Sequence, residues 1–184
     1  MTKPDLTAQT VDEKLCELML YIAQKSQDDK FFGAVKLNKL LYYADVEAYR
    51  RLGKSITGTD YKHRREGPVP PSDRARRRLV QRGRAKVDYK PTEKRDQERL
   101  IPKSAPNTSL FSNAELGIID ETIRKYWQFT GTALSKKSHE EFGYKLTREG
   151  ETIPLRTAWL SSARPTKAQI EVGQKIAKKH GLAV

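Results

Sequence analysis

Apolar residues recur at helical spacing in the first fifty positions of the chain. Leu15, Leu18, Met19 and Ile22 follow the i, i+3, i+4, i+7 pattern, which predicts an amphipathic helix. Thr10-Val11-Asp12-Glu13 reads as a capping box at its start, the hydroxyl and the carboxylate each satisfying a free N–H group. The polar "QDDKFFG" interrupts the pattern. A second helix is predicted from Ala34 to Leu52, with Leu37, Leu40, Leu41, Ala44, Ala48 and Leu52 on its inner face. Gly53 is placed to close it in the left-handed conformation.

The periodicity then changes. "SITGTDYKHRREGPVPPSD" is too polar and too rich in proline and glycine for a buried helix. It predicts an extended segment through Tyr61 and a turn at Gly67-Pro68. Pro70 and Pro71 lead into a helix capped by Ser72 and stopped at Gly83. Ala85, Val87 and Tyr89 alternate, and "ERLIPK" can pair with them as an antiparallel hairpin. Ser112-Asn113-Ala114-Glu115 forms a second capping box, followed by a stripe of Leu116, Ile119, Ile123 and Tyr126. A shorter helix from about Thr132 carries Leu134 and His139. "GYKLTREGETIP" reads as a loop, and a short helical piece is expected from Arg156 to Leu160. A last helix over Thr166 to Lys179 should turn Ile170 and Ile176 inward and stop at Gly181. The predicted fold class is mainly α with a small antiparallel β element (α+β). One compact helical domain is expected over residues 1–164, with a helical extension over 165–184.

A chain of 184 residues can bury roughly 70% of the surface its unfolded form exposes, so it needs no covalent staples. The single cysteine, Cys16, allows no internal disulfide and no cysteine-based zinc site, and fits a reducing cytoplasm. "MTKPDLTAQT" lacks the apolar core of a signal peptide, and no run reaches the ~20 apolar residues of a membrane helix, so no membrane association is expected. Charge changes the picture more. The formal net charge is +13, and Lys62 to Lys103 holds 15 Lys/Arg against 6 Asp/Glu, a local excess of +9. Such an excess attracts polyanions and acidic protein surfaces.

Catalytic constellations are not evident. His63 lies in a basic loop, and His180 in a lysine-rich turn where it can complement a helix end. His139 precedes Glu140 and Glu141, but a metal site there would need further ligands from elsewhere. Cys16 has no local base partner and reads as a small buried side chain. No phosphate-cradling glycine loop is present. Neither enzymatic activity nor a metal or cofactor is expected. The basic stretch "SDRARRRLVQRGRAKVDYK" is more informative: Arg74, Arg77 and Arg78 share a helix face, and the helix, glycine and basic hairpin resemble the outline of a winged helix. DNA or RNA contact through residues 72–103 is therefore one reading. Docking of an acidic protein surface on the same arginines is the other.

The segment "KLNKLLYYADVEAYRRLGKSI", followed by an extended stretch and "REGPVPPS", resembles the Panacea domain, the SocA-like antitoxin domain. Lys36, Leu37, Lys39, Leu40, Leu41, Tyr42, Ala44 and Asp45 match its helix motif; Gly67, Pro68, Val69, Pro71 and Ser72 match its turn. A second block, "SNAELGIIDETIRKYWQFTGTALSKKSHEE", is similar to the family's acidic-start helix and its L-S-x-x-S/T-H segment, carried by Leu134, Ser135, Ser138 and His139. Ile153-Pro154 resembles the step that follows. The likeness spans roughly Val11 to Leu160. Three features depart from the pattern: Glu66 replaces the usual aromatic before Gly-Pro, the helix after Ser72 is arginine-rich, and residues 165–184 are an addition.

The resemblance implies an antitoxin, encoded beside a toxin and neutralising it by direct contact, in phage- or prophage-associated proteins among others. One branch of the family instead delivers its toxin to a Clp protease. Leu37, Leu40 and Leu41 are expected in the core, with Tyr42, Asp45, Gly67, Pro68, Ser72 and His139 as structural motif residues. A tyrosine hydroxyl and Asp45 are expected to tie down the Gly-Pro turn. A toxin with an acidic surface would meet Arg64, Arg65, Arg74, Arg77, Arg78 and Tyr43.

Overall fold

The computed structural model describes residues 8–92, 96–160 and 167–179. Helix α1 (Ala8–Lys25) buries Leu15, Leu18, Met19 and Ile22 as its spacing predicts. It begins two residues before Thr10, so that residue lies inside the helix and does not cap it. Helix α2 (Ala34–Leu52) is closed by Gly53 at φ 70°, whose N–H donates to the Tyr49 carbonyl at 3.0 Å. Leu37, Leu40, Leu41, Ala44 and Ala48 are buried, whereas Leu52, in the last turn, is 38% exposed. Helix α2 is the central element: α1, α4 (Asn113–Lys125) and α5 (Gly131–His139) all pack on it.

Strands β1 (Lys62–Arg64) and β2 (Gly67–Val69) form an antiparallel hairpin that pairs Lys62 with Val69 and Arg64 with Gly67. The reversal falls at Arg65-Glu66, so the expected turn at Gly67-Pro68 is instead the beginning of β2. The proline fits because His63 opposite it turns its N–H and C=O away to Glu151 and Gly150, so Pro68 sits where the hairpin ladder needs no N–H. Helix α3 (Ser72–Gln81) is preceded by Pro71 and takes no side-chain cap; Ser72 is its first residue rather than its cap. A second hairpin, β3 (Ala85–Lys90) and β4 (Gln97–Pro102), is the one the alternation predicts. Its apolar face fades outward: Ala85 is 2% exposed and Tyr89 62%.

Ser112 caps α4 with a complete capping box to Glu115. Ile119, Ile123 and Tyr126 are buried from the α4 stripe, and Leu116 packs at the core's edge. Helix α6 (Phe142–Lys145) occupies the start of the expected loop, and a 3-10 segment spans Leu155–Trp159. Helix α7 (Lys167–Lys179) exposes Ile170, which was expected to face inward. The expectations for His180 and Gly181 lie outside the described residues, as does the burial of Ile176. Among the described residues the fold is mainly helical with two small antiparallel two-stranded sheets. No described helix is long and apolar enough to cross a membrane.

Candidate functional site

Helix α2 carries three charged side chains, Lys36, Lys39 and Asp45, into the core, and each fastens a different segment. Asp45 is fully buried. Its Oδ1 accepts from the Ile56 and Thr57 amides at 2.7 and 3.0 Å, and its Oδ2 from the Thr57 and Tyr61 hydroxyls at 2.5 and 2.8 Å. Burial nevertheless pushes its carboxyl above the usual range, the four donors only partly offsetting the loss of water. The carboxylate thus holds the chain that enters β1. The expected tie from Asp45 to the Gly-Pro turn is corrected in that respect.

The turn is held by Lys39. Its Nζ donates to the Pro68 carbonyl at 2.9 Å, and burial pushes its ammonium down to about 8. From the other side, Ser135 Oγ donates to the Glu66 carbonyl at 2.6 Å, and Ser138 Oγ to the Ser135 carbonyl at 2.7 Å. Gly67, at φ 94°, sits between these groups: a Cβ there would collide with Ser138 Oγ and lie 3.0 Å from Lys39 Cε. The glycine supplies both a left-handed backbone and the room for two neighbours. Lys36 closes a third link, pairing with Asp29 at 2.5 Å and donating to the Trp127 carbonyl at 2.7 Å. The two lysines give charge to a turn otherwise made of core leucines. That conjunction was the sequence signal for a buried tie, although the spacing alone assigns no partner.

Ring stacking joins the same hairpin to α5 and α6. His63 lies 3.7 Å from the Tyr144 ring at 19°, and His139 lies 4.4 Å from it at 15°. Two imidazoles so near to parallel and so close to one ring must occupy its opposite faces. The Tyr144 hydroxyl donates to the Arg64 carbonyl at 3.0 Å. Thr147 Oγ1 donates to the Gly143 carbonyl at 2.8 Å, so its contact with His63 Nδ1 at 3.1 Å makes that nitrogen the donor. Sequence reasoning missed this sandwich because its members come from three separate elements.

The residues expected to meet a partner are divided by the fold. Tyr43 is 4% exposed, its ring against Tyr42 and Tyr126, which places it in the core rather than on an outer face. Arg74 and Arg78 both reach Asp12 on α1, at 2.6 and 3.5 Å. Arg64 pairs with Glu149 at 3.3 Å. Arg76 is pinned between Asp73 and Glu98, and Arg84 binds Glu17. Arg65 and Arg77 are exposed and make no ion pair among the described residues. The net excess of the middle segment is thus concentrated on fewer cations than the sequence count suggests. Cys16 is buried beside the Ala75 carbonyl, and burial pushes its thiol up. Among the described residues no three His, Cys, Asp or Glu side chains gather as a metal ion would require.

No curated protein and no solved structure matches the chain. A family model for the antitoxin SocA-like Panacea domain matches residues 37–143, a range that opens at Leu37 on α2 and takes in the clamped β1–β2 hairpin, α3, the second hairpin and α5. Asp45, Gly67, Pro68, Ser72, Ser135, Ser138 and His139 all fall inside it. The chain therefore belongs to the SocA-like antitoxin family of Panacea domains.

Proposed function

We propose that the chain is the antitoxin of a toxin–antitoxin pair and neutralises its cognate toxin by direct protein–protein binding. The family match over residues 37–143 carries this reading. The tied α2 core supports it in kind: the motif's charged side chains are spent on holding backbone, which suits a rigid binding module and leaves recognition to the surface. In the proposed complex the unpaired Arg65 and Arg77 are the first contacts with an acidic toxin surface. Arg64, Arg74 and Arg78 are exposed in part and can exchange their intramolecular carboxylates for the partner's. Residues 165–184 lie beyond the proposed binding domain of 1–164. The protein is proposed to act in the cytoplasm and to transform no substrate itself.

Co-expression with the product of the neighbouring reading frame tests the reading. A stable complex on gel filtration, together with restored growth of cells expressing the toxin, is expected. Two separate peaks and continued growth arrest would refute it. A nucleic-acid role remains the rival because α3, Gly83 and the β3–β4 hairpin do follow one another as helix and wing. It requires an affinity for duplex that falls steeply with salt.

A further inference from the structure

The β3–β4 hairpin stands alone as a two-stranded sheet among the described residues, so its backbone edges need an account. The Lys103 N–H donates to the Arg84 carbonyl at 2.8 Å, which makes Arg84–Lys103 a hydrogen-bonded pair. Alternation along the register then assigns the same status to Lys86–Ile101, Asp88–Arg99 and Lys90–Gln97. Ala85, Val87 and Tyr89 therefore turn their N–H and C=O groups away from β4. Two separate contacts agree. The Tyr89 N–H donates to Asp88 Oδ1 at 3.1 Å rather than to a strand. On β4, the outward Glu98 carbonyl lies 3.2 Å from where a Cβ on Gly33 would stand, so the beginning of α2 covers that edge.

Among the described residues the β3 edge has no such cover. Lys86, Asp88, Tyr89 and Lys90 are exposed and Val87 is half-buried. An uncovered edge is a template for pairing, and lysines on it guard against self-association. An antiparallel second copy centred on Asp88 would set Lys86 opposite Lys90, like charge against like. A strand carrying carboxylates at those positions would instead meet two cations, with cross-strand pairing in its favour. In that register the same side chains disfavour a second copy and favour an acidic guest.

We propose that the Val87–Lys90 edge of β3 receives an extended acidic segment of the toxin as a third strand. This rests on the toxin-binding reading above and specifies how that binding is made: Val87 and Tyr89 supply main-chain hydrogen bonds, while Lys86 and Lys90 choose the partner.

Proline substitution isolates the claim, because proline removes an N–H and is tolerated at edge positions not bonded within the hairpin. Val87→Pro and Tyr89→Pro each delete one outward donor and leave the β3–β4 ladder intact. Affinity for the toxin, purified from the neighbouring reading frame, should fall at least about tenfold for each. Tyr89→Ala, which keeps the N–H, should cost clearly less than Tyr89→Pro. Thermal midpoints check that each variant folds. Hydrogen exchange on the unmodified complex gives a second readout, with slowed exchange expected at the Val87 and Tyr89 amides. If both proline variants bind with unchanged affinity and those amides exchange as in the free chain, strand addition is wrong while toxin binding stands. If the unmodified chain forms no complex, the toxin-binding reading fails and this inference falls with it.

Discussion

Removing the Asp45 carboxylate should be the most damaging single change in the motif. Asp45→Ala leaves two buried backbone donors, Ile56 and Thr57, and two hydroxyls, Thr57 and Tyr61, without their acceptor. The hydroxyls can rotate; the amides cannot. An unsatisfied buried donor costs about 1–3 kcal/mol, so the two amides with partial loss at the hydroxyls amount to about 3–5 kcal/mol. Against a typical stability of about 5–15 kcal/mol this is a large fraction. For a chain of this length it corresponds to a fall in Tm of about 6–20 °C. Asp45→Asn should be milder, about 1–2 kcal/mol: Oδ1 still accepts from both amides, the hydroxyls turn to accept from the new NH2, and no charge has to be held away from water. Burial, which pushes the carboxyl up, acts in the direction of this last gain. Urea unfolding followed by circular dichroism, with the midpoint compared at constant m-value, measures both variants. An alanine variant within about 0.5 kcal/mol of the native chain, the scatter of ordinary surface substitutions, would refute the reasoning. So would an asparagine variant as unstable as alanine.

Gly67→Ala should destabilise by about 2–4 kcal/mol, combining a left-handed non-glycine residue with a collision in a tight site. Adding Ser138→Ala should recover the collision part but not the backbone part, which a double-mutant cycle in urea would reveal. Lys39 makes stability depend on pH. Its folded value of about 8 lies below the 10.5 of the unfolded chain, so the unfolded state binds more protons between these values, and this group by itself raises stability by about 2–3 kcal/mol from pH 8 to 10, opposed in part by the Cys16 thiol that burial pushes up. Lys36, lowered by the same cause, adds in the same direction. Above pH 10 the buried hydroxyls of Tyr42, Tyr43, Tyr61 and Tyr126, all pushed up by burial, reverse the trend. Lys39→Met should flatten the rise, as measured by urea midpoints across that range. The double variant Arg65→Glu/Arg77→Glu should slow association with the toxin at low salt and matter less as ionic strength rises. Stopped-flow rates that do not change would move the electrostatic contact away from these residues.

What could be read from the sequence was what depends on near neighbours. Helix α2, its Gly53 closure and the Ser112 capping box are set by residues within four positions of one another, and each stands where the pattern puts it. The resemblance in the α2 and Gly-Pro motifs likewise identified the family. The errors lie where distant groups decide. The β1–β2 reversal is fixed by Lys39, Ser135 and the segment 151–153, whose backbone bonds to His63 and Tyr61. No local rule places that turn. Arg74 and Arg78 look like a free cationic face along the helix, yet Asp12 on another helix lies within reach of both. Tyr43 is expected to meet a partner, but α4 closes over it through Tyr126. A helical projection knows one element's faces and not how many neighbours cover them.

The central claim is that this chain works by holding another protein. Isothermal titration of the purified chain with the product of the neighbouring reading frame, at low and at high salt, tests it most directly. The account predicts saturable binding at a fixed stoichiometry, weakening as salt rises. Absence of any binding heat at both salt concentrations, from two folded proteins and at more than one temperature, would contradict it.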